Sequence, residues 1–151
     1  ILRGKTNEFM RIYEATEPSD LLAEAFARLL PQLSERMTAP DREAVARIVA
    51  SPATRQLVAA AEDGRIVGLL SVALYDVPSG RKAWIEDVVV DAATRGRGIG
   101  EALVREALAL ARREGVARVM LTSNATRRAA HRLYERMGFV RYETDCFRLD
   151  L

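Results

Sequence analysis

The densest chemical signal in the chain is the run Asp91-Ala-Ala-Thr-Arg95-Gly96-Arg97-Gly98-Ile99-Gly100. Alternate glycines let a backbone approach a ligand closely and leave N–H groups free to donate. An amphipathic stretch follows at once. A helix starting there adds unpaired donors and partial positive charge, which suits a phosphate or pyrophosphate. Arg95 and Arg97 reinforce that preference. Two other phosphate-binding patterns do not fit. A P-loop needs Lys and then Ser or Thr after its last glycine, but Glu101 and Ala102 follow Gly100. A dinucleotide fold needs G-x-G-x-x-G and an acid closing the second strand. The spacing here is Gly96-x-Gly98-x-Gly100, and the next strand ends in Thr122 and Ser123. The bland alternative is a tight turn that merely opens a helix.

Other reactive residues are scarce. The chain has one histidine, His131, and one cysteine, Cys146. A zinc site needs several His or Cys ligands, so no metal is expected. No internal disulfide can form, and a reducing cytoplasm is the natural setting. His131 precedes Tyr134 by three residues and Glu135 by four, so a surface pairing with Glu135 is expected. For Cys146, packing in a closing strand is the default.

These residues need elements to hold them. Phe9 to Ala15 alternates and reads as a first strand. Thr16, Pro18 and Ser19 then start a helix with Leu21, Leu22, Ala25, Phe26, Leu29 and Leu30 at helical spacing, ending or kinking near Pro31. A second helix is expected from Thr38 to Asp41 onward. Leu57 to Glu62 and Ile66 to Tyr75 read as a hairpin around Asp63-Gly64-Arg65. Asp76 to Gly80 reads as a loop and Lys82 to Val90 as a strand. After the glycine loop, Gly98 to Glu114 forms a helix stopped by Gly115. Val116 to Thr122 reads as a short buried strand. Asn124 or Thr126 can cap a last helix ending at Gly138, and Phe139 to Leu151 reads as one or two closing strands. The order gives a single α/β domain, a mixed sheet with helices on both faces.

Bulk properties narrow the function further. The chain has 151 residues, 49% hydrophobic and 29% charged, with a formal net charge of +2. That length suits one domain with a real core. No apolar run reaches the length of a membrane span, so no membrane partner is expected. The net charge is small and no aromatic residues interleave with the basic ones, which argues against a nucleic-acid partner. Ile1 to Phe9 precede the first methionine. The expected domain is therefore residues 10–151, with residues 1–9 an N-terminal extension of vector or upstream origin and no assigned function.

At this point the chain resembles the GCN5-related N-acetyltransferases. Arg95-x-x-Gly98-x-Gly100 matches their Q/R-x-x-G-x-G/A signature. The likeness extends upstream through Ile85-Glu-Asp-Val-Val-Val-Asp91 and downstream through Leu133-Tyr-Glu-Arg-Met-Gly-Phe139, covering roughly Ile66 to Phe139. The resemblance implies acetyl-CoA as co-substrate, held in a V-shaped opening between the central parallel strands Trp84 to Val90 and Val116 to Thr122. It implies that the backbone of the Val88-Val89-Val90 run, chiefly Val88 and Val90, bonds the pantetheine arm. It implies that N–H groups from Gly96, Arg97, Gly98, Ile99, Gly100 and Glu101 hold the pyrophosphate, with Arg95 beside them. Many members carry an asparagine where this chain has Arg127. Asn124, three residues earlier, or Arg127 itself is then expected at the cofactor. The acceptor is a primary amine of a small molecule or peptide. A homodimer is a further expectation.

Acetyl transfer to an amine poses two proton problems. The departing thiolate needs a donor, and Tyr134 matches the family's tyrosine facing the CoA sulfur. A phenol pKa near 10 against about 8.5 for a thiol makes full transfer uphill by only ~2 kcal/mol. The amine must also lose a proton. Glu86 is the leading candidate base and Asp87 the second. Alternation places them on opposite faces of the strand, so only one should point at the acetyl group. Glu86 then works directly or through a water. Alternatively it only binds the amine, or forms an ion pair with Lys82 or an arginine. A different class of function is a non-catalytic acyl-CoA sensor or regulatory module, which would keep the loop and lose nothing on removal of Tyr134 or Glu86.

Overall fold

A computed structural model describes residues 10–151. The expected extension, residues 1–9, and the expected start of the first strand at Phe9 lie outside the described residues. The elements are β1 (Arg11–Ala15), α1 (Asp20–Leu33), α2 (Arg42–Ala50), β2 (Thr54–Ala60), β3 (Ile66–Val77), β4 (Gly80–Val90), α3 (Ile99–Arg113), β5 (Val119–Leu121) and α4 (Arg128–Arg136). A single 3-10 turn, Ala92–Thr94, lies between β4 and α3.

Local chemistry explains most of the boundaries. Ser19 is extended, and its Oγ accepts from Leu22 N at 3.1 Å, so α1 starts on a side-chain cap with Asp20 in its first turn. Asp41 does the same for α2, accepting from Ala44 N at 2.8 Å. The β2–β3 hairpin closes where Gly64 takes φ +84°, a conformation that any side chain would strain.

The sheet runs β1-β2-β3-β4-β5, antiparallel except for the parallel β4–β5 pair. Period-two alternation sorts its apolar side chains into two cores. Leu57, Leu70, Val72, Leu74 and Ile85 face α3, where they meet Leu103, Val104, Ala107 and Leu110. Val58, Ile66, Leu69 and Val89 face the other way, onto Leu22, Phe26 and Leu29 of α1 and Val45 of α2. The mixed sheet with helices on both faces is thus the architecture expected.

Several boundaries differ from expectation. α1 continues through Pro31 to Leu33, because a proline in the last turn removes only one donor, and Ser34 N still reaches Leu30 O at 3.2 Å. The expected Asp76–Gly80 loop shrinks to Pro78 and Ser79. β3 and β4 pair out to Val77↔Gly80, with Gly80 at φ +117°. β5 keeps only Val119–Leu121 of the expected strand. α4 starts at Arg128, after Arg127, with no side-chain cap, since the Asn124 carboxamide oxygen instead accepts from the N–H and hydroxyl of Thr126. Among the described residues, 139–151 form no strand. Val140, Tyr142, Phe147, Leu149 and Cys146 are exposed there, so the closing strands and the packed cysteine are not formed. Strand patterning alone does not make a strand; a partner edge must be engaged.

Candidate active site

The site forms around the second half of β4. β4 and β5 pair only at Ala83↔Val119, Trp84↔Met120 and Ile85↔Leu121. From Glu86 onward β4 runs without β5 beside it, so the strands part and leave an opening. One guanidinium reaches into it: Arg127, at the start of α4, donates to Val88 O at 3.3 Å. Val89 turns its side chain into the α1 core and registers opposite Leu69, while Val90 registers opposite Gly68.

The register across β3 and β4 slips at this same place. Leu69 pairs with Val89, but Ser71 pairs with Glu86, so Asp87 and Val88 together oppose one residue of β3. This is a β-bulge. Asp87 takes φ +48° there, the only non-glycine residue at positive φ among the described residues. Aspartate tolerates that conformation better than most residues do. The bulge corrects the expectation of opposite faces. Glu86 and Asp87 both line one cavity of about 250 Å³ between the sheet and helices α1 and α2. Two carboxylates close together resist joint ionisation. Partial burial first, and the charge of Asp87 second, raise the Glu86 pKa above its ordinary value. The ion pair with Lys82 or an arginine is not formed: the nearby Arg81 is held by Asp76 and Glu114.

Tyr134 stands elsewhere. It is 7% exposed and belongs to the core on the α3 face, with the Phe139 ring edge-on at 5.8 Å. Val88 and Val90 pack against that same core. Burial raises the Tyr134 pKa, and the nearby Arg127 charge partly opposes the rise. A phenol kept neutral is a hydrogen-bond donor across a wide pH range. Tyr134, Arg127 and Val88 therefore gather at the opening, while Glu86 and Asp87 line the cavity toward α1 and α2. His131 is half-buried, and its Nε2 meets no partner, so the expected pair with Glu135 is absent among the described residues.

The glycine loop crosses the end of β4. Gly96 and Gly98 sit at φ +78° and +76°, and Gly98 precedes α3 without any side-chain cap. The N–H groups from Gly96 to Glu101 meet no hydrogen-bond partner among the described residues. This makes an anion-binding helix start of the kind the spacing suggests. Arg95 Nε donates to Val90 O at 3.3 Å, tying loop to strand. Arg97 borders a separate hollow of about 550 Å³ with Glu62 and Asp63. Glu101 pairs with Arg105 along the helix. Gly100 lies close to α4: a Cβ there would meet Leu133 Cδ2 at 3.2 Å, so that side chain would have to give by a few tenths of an ångström. Asn124 sits exposed in its own turn.

Sequence reasoning missed what fixes the loop from below. Asp91 is 6% exposed and takes an Arg28 N–H at 2.7 Å. Arg28 also donates to Ile66 O at 2.6 Å, and Gln32 accepts from Ala92 N at 2.8 Å. Helix α1 thus clamps both strand ends and the loop start. Arg28 and Asp91 lie 63 residues apart, and no local pattern connects them.

A mixed sheet that parts at β4, followed by a glycine turn opening a helix, is the architecture of an acyl-CoA transferase. Residues 8–139 match the acetyltransferase (GNAT) family, and the chain belongs to it. It is 35% identical over 127 residues to glucosamine 6-phosphate N-acetyltransferase 1 of Oryza sativa subsp. japonica, covering 79% of this chain and 75% of that protein. It is 36% identical over 89 residues to the mycothiol acetyltransferase of Thermomonospora curvata, covering 59% of this chain. The chain spans only 29% of that larger protein. Among solved structures, an acetyltransferase of Trypanosoma brucei superposes with a TM-score of 0.76 at 30% identity, covering 94% of this chain and 99% of that one.

Proposed function

We propose that this protein transfers the acetyl group of acetyl-CoA directly to a primary amine within a ternary complex. The observation that carries the reading is the freed stretch of β4. It offers an extended ligand a backbone edge free of β5, with Val88 O and Val90 O held by arginine side chains, ends at six residues of unpartnered N–H groups, and meets two carboxylates on its other side. The loop binds the pyrophosphate through those N–H groups, with Arg95 adjacent. The backbone of Val88 and Val90 receives the pantetheine arm, and Arg127 yields Val88 O to it or turns toward a phosphate. Val89 serves by holding the strand in the core.

The proton accounting closes on residues of this chain. An ammonium acceptor loses one proton to Glu86, directly or through a water, and Glu86 passes it to solvent. The nitrogen lone pair then attacks the thioester carbonyl carbon. The new C–N bond forms as the C–S bond breaks. Tyr134 donates a hydrogen bond to the departing sulfur and supplies its proton, which the second proton from nitrogen replaces. The products are an acetamide, free CoA thiol and one released proton. Asp87 acts beside Glu86 as a second anchor for the cation.

The rice relative is named for a small-molecule amine, glucosamine 6-phosphate, and we extend the class of small-molecule amines to this chain. A cytoplasmic setting rests on the single free thiol of Cys146. Homodimer formation draws support from the open outer edge of β5 and the exposed apolar side chains of Val140, Phe147 and Leu149. The test is incubation with isotope-labelled acetyl-CoA and a mixture of small amines, read by mass spectrometry. Labelled acetamides that vanish with Glu86→Gln are expected. Bound acetyl-CoA with no acetylated amine would leave a non-catalytic acyl-CoA-binding module.

A further inference from the structure

The cavity beside the bulge carries information about the acceptor itself. Its walls are apolar, formed by Phe26, Leu30, Ile48 and Leu69 among others. Two of its neutral polar side chains, Ser71 and Gln56, are already engaged with each other. Ser71 Oγ donates to Gln56 Oε1 at 2.8 Å, and the Gln56 amide, on a residue only 3% exposed, donates to Leu57 O and Leu70 O. The charged groups left for a ligand are Glu86 and Asp87, with the Thr54 hydroxyl on the same lining. Neither makes an ion pair among the described residues, and the lining includes no Lys, Arg or His. The basic side chains around it are committed elsewhere. Arg28 serves Asp91 and Glu24, and Arg55 serves Glu14 and Glu114.

We infer that the acceptor is a compact cationic amine with an apolar body and no phosphate or carboxylate group. This rests on the acetyl-transfer reading above and narrows it. An ammonium entering here meets two unpaired carboxylates and an apolar wall for its carbon skeleton. A phosphate entering here would bring like charge against those carboxylates, with no cation in the lining to receive it. Such a mismatch works as rejection, so the cavity selects by repulsion as well as attraction. Size adds a second limit. About 250 Å³ equals roughly eight water volumes at ~30 Å³ each, below the usual range of pockets for drug-sized ligands. The relatives named for a phosphorylated amino sugar therefore differ from this chain in what their acceptor must carry.

The experiment compares kcat/KM, read by release of the CoA thiol, for three amines: 2-phenylethylamine, glucosamine and glucosamine 6-phosphate. Phenylethylamine is expected to exceed the phosphate ester by on the order of a hundredfold, the scale set by an unpaired charge in a shaped site. Glucosamine is expected to exceed its own 6-phosphate. The Asp87→Asn variant keeps a side chain that tolerates positive φ. It should raise KM for phenylethylamine about tenfold, the usual scale for one charge-assisted contact, and narrow the gap between glucosamine and its ester. Its melting curve should match that of the parent. Equal or better use of glucosamine 6-phosphate, or an unchanged gap in the variant, overturns the inference and leaves the transfer reading standing. Acetylation of no amine despite bound acetyl-CoA overturns the transfer reading, and the inference with it.

Discussion

Past Ile85, β4 offers one kind of chemistry toward α1 and α2 and another toward β5 and α3. On the first side Glu86 and Asp87 project over an apolar cavity without a counter-cation. On the second, bare backbone meets Arg127, and the strand ends at a loop of unpartnered N–H groups with Arg95 beside it. The anionic side suits a cation and the donor-rich side suits phosphates, so the proposed reading has the two substrates sorted by charge before any reaction. A single bulge lies where the two halves meet. It turns Asp87 toward the cavity with Glu86, and it falls in the stretch where β4 has left β5. The comparison teaches that separation of the substrates is a property of one strand's backbone path.

Variants that act on one side only are the way to break this division. The largest effect is expected for Glu86→Gln, a loss of about a thousandfold in turnover, within the range for a general base. Its acetyl-CoA affinity should stay unchanged by calorimetry. A comparable loss of affinity would mean that the two sides are not separate. Tyr134→Phe should lower turnover by about a hundredfold, again with affinity retained; equal losses in both would remove Tyr134 from the role of proton donor. Gly98→Val attacks the other side. A Cβ at Gly98 would point into open space, so crowding within the protein is not the reason for glycine. The reason is φ +76°, which costs a β-branched residue ~1–2 kcal/mol. Acetyl-CoA affinity should fall roughly tenfold, while the KM for amine changes little.

The smallest effect concerns pH. Glu86 must be ionised to accept a proton, and burial and the Asp87 charge raise its pKa. The acid limb of kcat should therefore lie above the ordinary carboxylate range. Asp87→Asn removes the second cause, so Glu86 ionises at lower pH and the limb moves down. An unmoved limb would assign it to a different group.

Much of this was legible in the residues. The glycine spacing, the amphipathic run after it and the turn Asp63-Gly64 are local signals, and each produced the element it implied. The bulge was not legible, because period-two alternation holds only while pairing stays in step. The slip belongs to the match between Leu69-Leu70-Ser71 and Glu86 to Val89, which a single strand does not display. Two adjacent acids in an apolar strand, one of them an aspartate able to take positive φ, were the only hint. The Arg28–Asp91 clamp was invisible for a different reason: its partners meet only after the fold forms. Phe139 to Leu151 failed in the opposite sense. Its apolar residues read as strands, yet among the described residues the segment pairs with no strand, the outer edge of β5 included.

The central claim is that the loop and the freed strand take acetyl-CoA. Calorimetric titration of the protein with acetyl-CoA, and separately with NAD and ATP, tests it most directly. The account predicts about micromolar binding of acetyl-CoA alone, since NAD and ATP lack the pantetheine arm that β4 would hold. Absence of acetyl-CoA binding, or equal binding of all three, would contradict it and reduce the loop to a turn that starts a helix.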